Sequence, residues 1–91
     1  MFVKNLDVYN SSENESMKIC LEPYCEFFVI PPSCTATIKA EFNSITHYEN
    51  TASVFGVQID RQGLLVVYAP GLSDDLYVEI KGIRIAPTSE Y

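Results

Sequence analysis

The residues best equipped for chemistry are three cysteines, Cys20, Cys25 and Cys34, and a single histidine, His47. Thiolates and imidazoles build zinc sites as four-ligand sets, but Cys20 and Cys25 lack the two-residue spacing of a redox or zinc pair. One histidine does not readily complete a Cys/His metal set. A thiol nucleophile would need an imidazole beside it, and His47 lies in a polar stretch where a histidine reads as solvated. A blue-copper centre needs two histidines, so cupredoxin chemistry is excluded. The odd cysteine count and an N-terminus without an export signal predict free thiols in a reducing, cytoplasmic setting. The alternative sets Cys25 and Cys34 facing each other across a hairpin, where their oxidation during purification would be an artefact.

The carboxylates carry as little chemistry. Asp74 and Asp75 are loop neighbours, and Asp60 opens a turn, where aspartate is common for backbone reasons. Acid/base work needs carboxylates at a fixed separation or an oriented histidine, and a calcium loop needs ligands at alternating positions. Neither pattern occurs. The four glycines are isolated, so no glycine-rich phosphate loop exists. The reading is a protein that is not an enzyme and has no cofactor.

Twelve carboxylates against six cations give a net charge of −6, which disfavours a phosphate backbone as partner and favours steering toward a basic protein. No nucleic-acid partner is expected on that ground. The longest apolar run, Leu64 to Pro70, is far short of the roughly 20 residues of a spanning helix, so no membrane partner is expected. Ninety-one residues with 47 % hydrophobic content fit a single folded domain over 1–91.

The elements that would position any site read as strands. Phe2 to Tyr9 alternates imperfectly, and Asn10 to Ser16 is a polar loop in which Ser12-Glu13-Asn14-Glu15 fits at most one helical turn. Asn10-Ser11-Ser12 and Asn14-Glu15-Ser16 match the glycosylation sequon by chance. Met17, Ile19 and Leu21 alternate with Lys18, Cys20 and Glu22 until Pro23 ends the strand. Phe27 to Ile30 is a short apolar strand, and Pro31-Pro32-Ser33 turns it as a hairpin into a return strand in which Ala36, Ile38, Ala40 and Phe42 alternate with polar residues.

Asn43 to Asn50 reads as a long connection without a helical stripe. Ser53 to Asp60 alternates through Phe55, Val57 and Ile59, and Asp60-Arg61-Gln62-Gly63 forms a turn in which glycine takes the positive φ. Leu64 to Ala69 returns. After Pro70-Gly71, Leu76, Val78 and Ile80 form a last strand, with a bulge at Gly82, buried continuation through Ile83 and Ile85, and a tail from about residue 86. Six or seven short strands with regular turn signals predict an all-β fold, a small antiparallel β-sandwich with barrel-like closure as a variant.

Phe27 to Ile30 and Leu64 to Tyr68 are apolar on both faces, more than one protomer of this size needs to hide. That surplus marks an interaction surface of Tyr24, Phe28, Leu65, Val67, Tyr68 and Tyr77, with the tyrosines as anchors for a protein partner or a second copy. The alternatives are a carbohydrate or small-ligand module with tyrosines lining a cleft, and an immunity-type protein that neutralises a basic toxin.

Leu21-Glu22-Pro23-Tyr24, followed by Phe28-Val29-Ile30-Pro31-Pro32, resembles a group of small uncharacterised bacterial β-sandwich proteins. Their segment is Leu-Glu-Pro-Trp/Tyr, followed by an aromatic-x-aliphatic-Pro-Pro-Gly turn. Tyr68-Ala69-Pro70-Gly71 is similar to their later aromatic-x-Pro-Gly step, and Ser33 stands where the group carries glycine. The resemblance covers about half of the chain and implies a compact bacterial cytoplasmic β domain without an assigned activity.

Overall fold

In the chain's clearest alternation, Ala36, Ile38, Ala40 and Phe42 are fully buried, while Thr35, Thr37, Lys39 and Glu41 turn to the opposite face. Period-two burial of this kind is what a strand with one core face requires. The computed structural model describes residues 1–50 and 55–88. Their elements in order are β1 (Phe2–Tyr9), β2 (Met17–Glu22), β3 (Glu26–Ile30), β4 (Thr35–Phe42), α1 (Ile45–Asn50), β5 (Gly56–Ile59), β6 (Leu65–Tyr68), β7 (Asp75–Ile80) and β8 (Ile83–Ile85). The fold is mostly β.

Two four-stranded sheets form, the first ordered β1-β4-β7-β8 and the second β3-β2-β6-β5. They share one core: Ile19, Leu21, Phe28, Ile30 and Val67 from the second sheet meet Ala36, Ile38, Ala40, Phe42, Leu76 and Val78 from the first. Burying each large aliphatic or aromatic side chain among them is worth about 1.5–3 kcal/mol. Two sheets closing on a common core make a sandwich-like arrangement, and neither sheet closes into a barrel.

Several expectations are corrected. There are eight strands among the described residues rather than six or seven, and the pairing is not wholly antiparallel, because β2 runs parallel to β6. The proline-rich turn after Ile30 is not a hairpin. β3 pairs β2 in the second sheet while β4 pairs β1 and β7 in the first, so Pro31 and Pro32 lie where the chain changes sheets. Prolines without N–H groups end a ladder as well at a sheet crossing as at a hairpin. Cys25 and Cys34 consequently do not face each other across a hairpin: Cys25 lies in the exposed β2–β3 turn, beyond the cis Glu22–Pro23 peptide, and Cys34 precedes β4.

The connection at 43–50 contains α1, whose first turn is capped by Ser44 Oγ accepting from the His47 N–H at 3.3 Å. The expected bulge at Gly82 is a two-residue hairpin turn. Lys81 and Gly82 both take positive φ, 54° and 76°, and Ile80 pairs with Ile83 across them. Ile83 is exposed at that turn, and only Ile85 continues toward the core. The expected strand start at Ser53 and Val54, and the end of the tail at 89–91, lie outside the described residues. The part of the tail that is described is docked: the Thr88 N–H donates to the Phe27 carbonyl at 2.7 Å, extending the edge of β3.

The turn at Asp60 to Gly63 forms as expected. Asp60 Oδ1 accepts from the N–H groups of Gln62 and Leu64, both at 2.9 Å, and Gly63 has φ 82°.

Candidate functional site

Residues paired directly across neighbouring strands point to the same side of a sheet, so the registers assign every side chain to the core or to an outer face. On the second sheet, Ile19, Leu21, Phe28, Leu65 and Val67 face the core. Their alternates, Lys18, Cys20 and Glu22 on β2, Phe27 and Val29 on β3, Val66 and Tyr68 on β6, and Gln58 on β5, form the outer face. That face is apolar at its centre. Cys20 is only 5 % exposed although it points away from the core, because Phe27 and Val66 lie opposite it on the two neighbouring strands. Around this half-buried layer, Val29 and Tyr68 are 40 % and 44 % exposed, and Tyr24 stands exposed in the adjoining turn.

The outer face of the first sheet is built differently. Asp7 Oδ1 accepts from the Thr37 hydroxyl at 2.7 Å, Lys39 pairs with Glu79 at 2.9 Å, and the Tyr77 hydroxyl donates to Glu41 Oε2. The Arg84 guanidinium lies over the Tyr77 ring, 4.6 Å from its centroid, and reaches Asp75 at 3.3 Å. The hydrogen bond to Glu41 favours the neutral phenol, which pushes the Tyr77 pKa up to about 12. This surface is polar and internally satisfied.

The six candidate surface residues therefore separate. Phe28 and Val67 are core residues, 3 % and 0 % exposed, and Leu65 packs against that core, so none of the three belongs to a surface. Tyr77 is half-buried on the polar face of the other sheet. Tyr24 and Tyr68 remain as exposed aromatics on or beside the apolar face. Sequence patterning counted the apolar residues of β3 and β6 correctly but took part of the core-facing set for the outer one. The true outer members, Phe27, Val29 and Val66, were legible in the strict two-residue period once Ile19 and Leu21 were set inward.

At the rim of this face, Glu22 Oε1 accepts from the Cys20 thiol at 3.5 Å and from the Cys25 thiol at 3.3 Å. Burial, assisted by the carboxylate, pushes the Cys20 thiol up to about 11. The hydrogen bond to Glu22 raises Cys25 as well. Both thiols are thereby held protonated, the reverse of an activated nucleophile. His47 is exposed on α1, and no cluster of three or more metal-ligating side chains suited to an ion occurs among the described residues.

Two clefts are lined by described residues. One, of about 400 Å³, lies between β3 and the β7–β8 side and is lined by Phe28, Leu76 and Ile85 with Glu26 and Arg84 among its polar residues. It contains a single tyrosine, Tyr77, whose hydroxyl is committed to Glu41, so the expected tyrosine-lined ligand cleft is not what the strands assemble there. The other, of about 490 Å³, is lined by Asn10, Ser12, Met17 and Leu64 among others.

Asn10 is the residue that sequence reasoning missed. It is 5 % exposed, and its amide donates to the carbonyls of Glu15, Ile30 and Pro31 at 2.8, 3.0 and 3.2 Å while its Oδ1 accepts from the Ser12 N–H at 3.1 Å. One side chain thus ties the β1–β2 loop to the sheet crossing after β3. The same bonds occupy the nitrogen that a sugar would need, so the first sequon is structural.

No helix among the described residues is long and apolar enough to cross a membrane. Comparison with family models, curated proteins and solved structures returned no match to this chain.

Proposed function

We propose that this chain is a non-catalytic, cytoplasmic protein-binding β domain whose docking surface is the outer face of the second sheet. The observation that supports it most is the contrast between its two outer faces. Every charged side chain on the central strands of the first sheet's outer face has a partner, whereas the second presents Val29 and Tyr68 around a half-buried Phe27 and Val66. Apolar residues flanked by aromatic anchors and a polar rim are the composition of a protein interface. Lys18 and Glu22 supply that rim. With a net charge of −6, long-range attraction selects a basic partner, and the apolar centre holds it once docked.

The reading is tested by affinity capture from the native host with three baits: the wild type, Val29→Asp/Tyr68→Asp on the proposed face, and Val3→Asp on the outer face of the first sheet. A partner should be recovered with the wild type and with Val3→Asp, and lost with the double variant. Equal recovery on all three baits, or none on any, would remove the reading.

A further inference from the structure

Each of the two sheets ends in two edge strands, and three of these four edges carry a device against pairing with another chain. On β1, Lys4 sits opposite the buried Ala40, a charge at a core-facing position, and its ammonium group emerges over the Tyr48 ring at 5.2 Å. A charge pointing inward on an edge strand blocks addition of a further strand. β3 is capped by the Thr88 bridge to Phe27. β8 is three residues long and carries Arg84.

β5 has none of these. Gly56-Val57-Gln58-Ile59 contains no charge and no proline, and among the described residues it is hydrogen-bonded on one side only, to β6. Val57 and Ile59 lie opposite Val67 and Leu65 and so turn to the core side of the sheet, yet they are 56 % and 70 % exposed. The strand overhangs the sandwich. An edge that no described residue covers and two exposed β-branched side chains on one short strand are incomplete as a free surface.

We infer that a second copy of this chain pairs with β5, antiparallel about a two-fold axis normal to the sheet and passing through Gln58, to make one continuous eight-stranded sheet across the dimer. The uncharged, self-complementary strand admits this occupant. A protomer of net charge −6 repels its own copy, so self-association needs a meeting line free of like charges, and β5 is the edge strand without any charge. In this register Gln58 meets Gln58, Val57 of each copy meets Ile59 of the other, and Asp60 falls opposite Gly56. No carboxylate faces a carboxylate. Two symmetric Val–Ile pairs follow from one strand, the self-complementarity that an isologous contact requires.

Four paired residues bury less than a standard interface, so the dimer is weak and concentration-dependent. It uses a strand other than those at the centre of the docking face, and its test is separate. Sedimentation velocity over a rising concentration series should move the wild type from monomer to dimer. Val57→Lys/Ile59→Lys should remain monomeric throughout, the single Ile59→Lys should weaken association, and Val29→Lys should leave it unchanged. The exposed positions make these variants compatible with folding, which circular dichroism verifies, and the single variant stands in if the double one is unstable. A wild type that stays monomeric to its solubility limit overturns the inference. So does association that survives at Val57 and Ile59 but is lost at Val29.

Discussion

Glu22 holds the Cys25 thiol across the β2–β3 turn, its Oε1 3.3 Å from the sulfur, and the same oxygen takes the Cys20 thiol at 3.5 Å. One carboxylate thus keeps an exposed thiol and a buried one protonated beside the proposed docking face. Glu22→Gln removes the charge that disfavours both thiolates. Alkylation of Cys25 at mildly alkaline pH should then accelerate, while Cys20 stays slow because its burial is unchanged. Peptide mapping after timed iodoacetamide treatment reads both sites, and an unchanged Cys25 rate would show that Glu22 does not control it.

Asn10 joins a loop to a sheet crossing through four hydrogen bonds, and its replacement should be costly. Asn10→Ala takes the amide donor from the buried Ile30 carbonyl and from the partly buried Glu15 and Pro31 carbonyls, at about 1–3 kcal/mol for a buried group left unpaired. Asn10→Asp replaces a donor by a carboxylate facing those same carbonyls. That raises the folded-state pKa, so the variant's stability is greatest in acid and is lost as pH rises through that pKa. Urea unfolding at several pH values measures both, and wild-type stability for Asn10→Ala would contradict the assigned role.

Phe28 and Val29 are sequence neighbours on opposite faces of β3, which separates folding from binding. Phe28→Ala should cost about 3–5 kcal/mol by opening a core cavity. Val29→Ala should stay within about 0.5 kcal/mol of the wild type. Chemical denaturation of the two variants checks the assignment, and equal losses would mean that the faces of β3 are misassigned.

Tyr77 should titrate late. Its pKa is pushed up to about 12 by the bond to Glu41, against an ordinary value near 10. A raised folded-state pKa stabilises the fold below the unfolded value, and that contribution is lost between about pH 10 and pH 12. Ultraviolet difference titration should show a late phenol that disappears in Tyr77→Phe. A late phenol that persists in the variant would place the shift elsewhere.

How much of this was legible in the sequence depended on whether the signal was local. β4 alternates so strictly that its core face could be read residue by residue, and Asp60 with Gly63 specified a turn through their own backbone chemistry. The sheet in which β3 and β4 each sit is not a local property. Proline at 31 and 32 ends a ladder, but only pairing partners distant in sequence decide whether the chain returns beside itself or crosses over. α1 was invisible for another reason: of residues 45–49 only Tyr48 is drawn in, packing against Phe2 and Phe42, and one ring makes no stripe. Asn10 was hidden because Asn-Ser-Ser reads as solvated loop, whereas its amide is spent on carbonyls up to 21 residues away. The docking face was half legible, since the apolar surplus lay in the sequence and the side it faced did not.

The most direct test of the docking face is hydroxyl-radical footprinting of the protein alone and with its captured partner bound. Oxidation of Tyr24, Val29 and Tyr68 should fall on binding, while Tyr9, exposed on β1, and Tyr77, on the polar face, keep their rates. Protection of Tyr9 and Tyr77 with Val29 and Tyr68 unchanged would contradict the account.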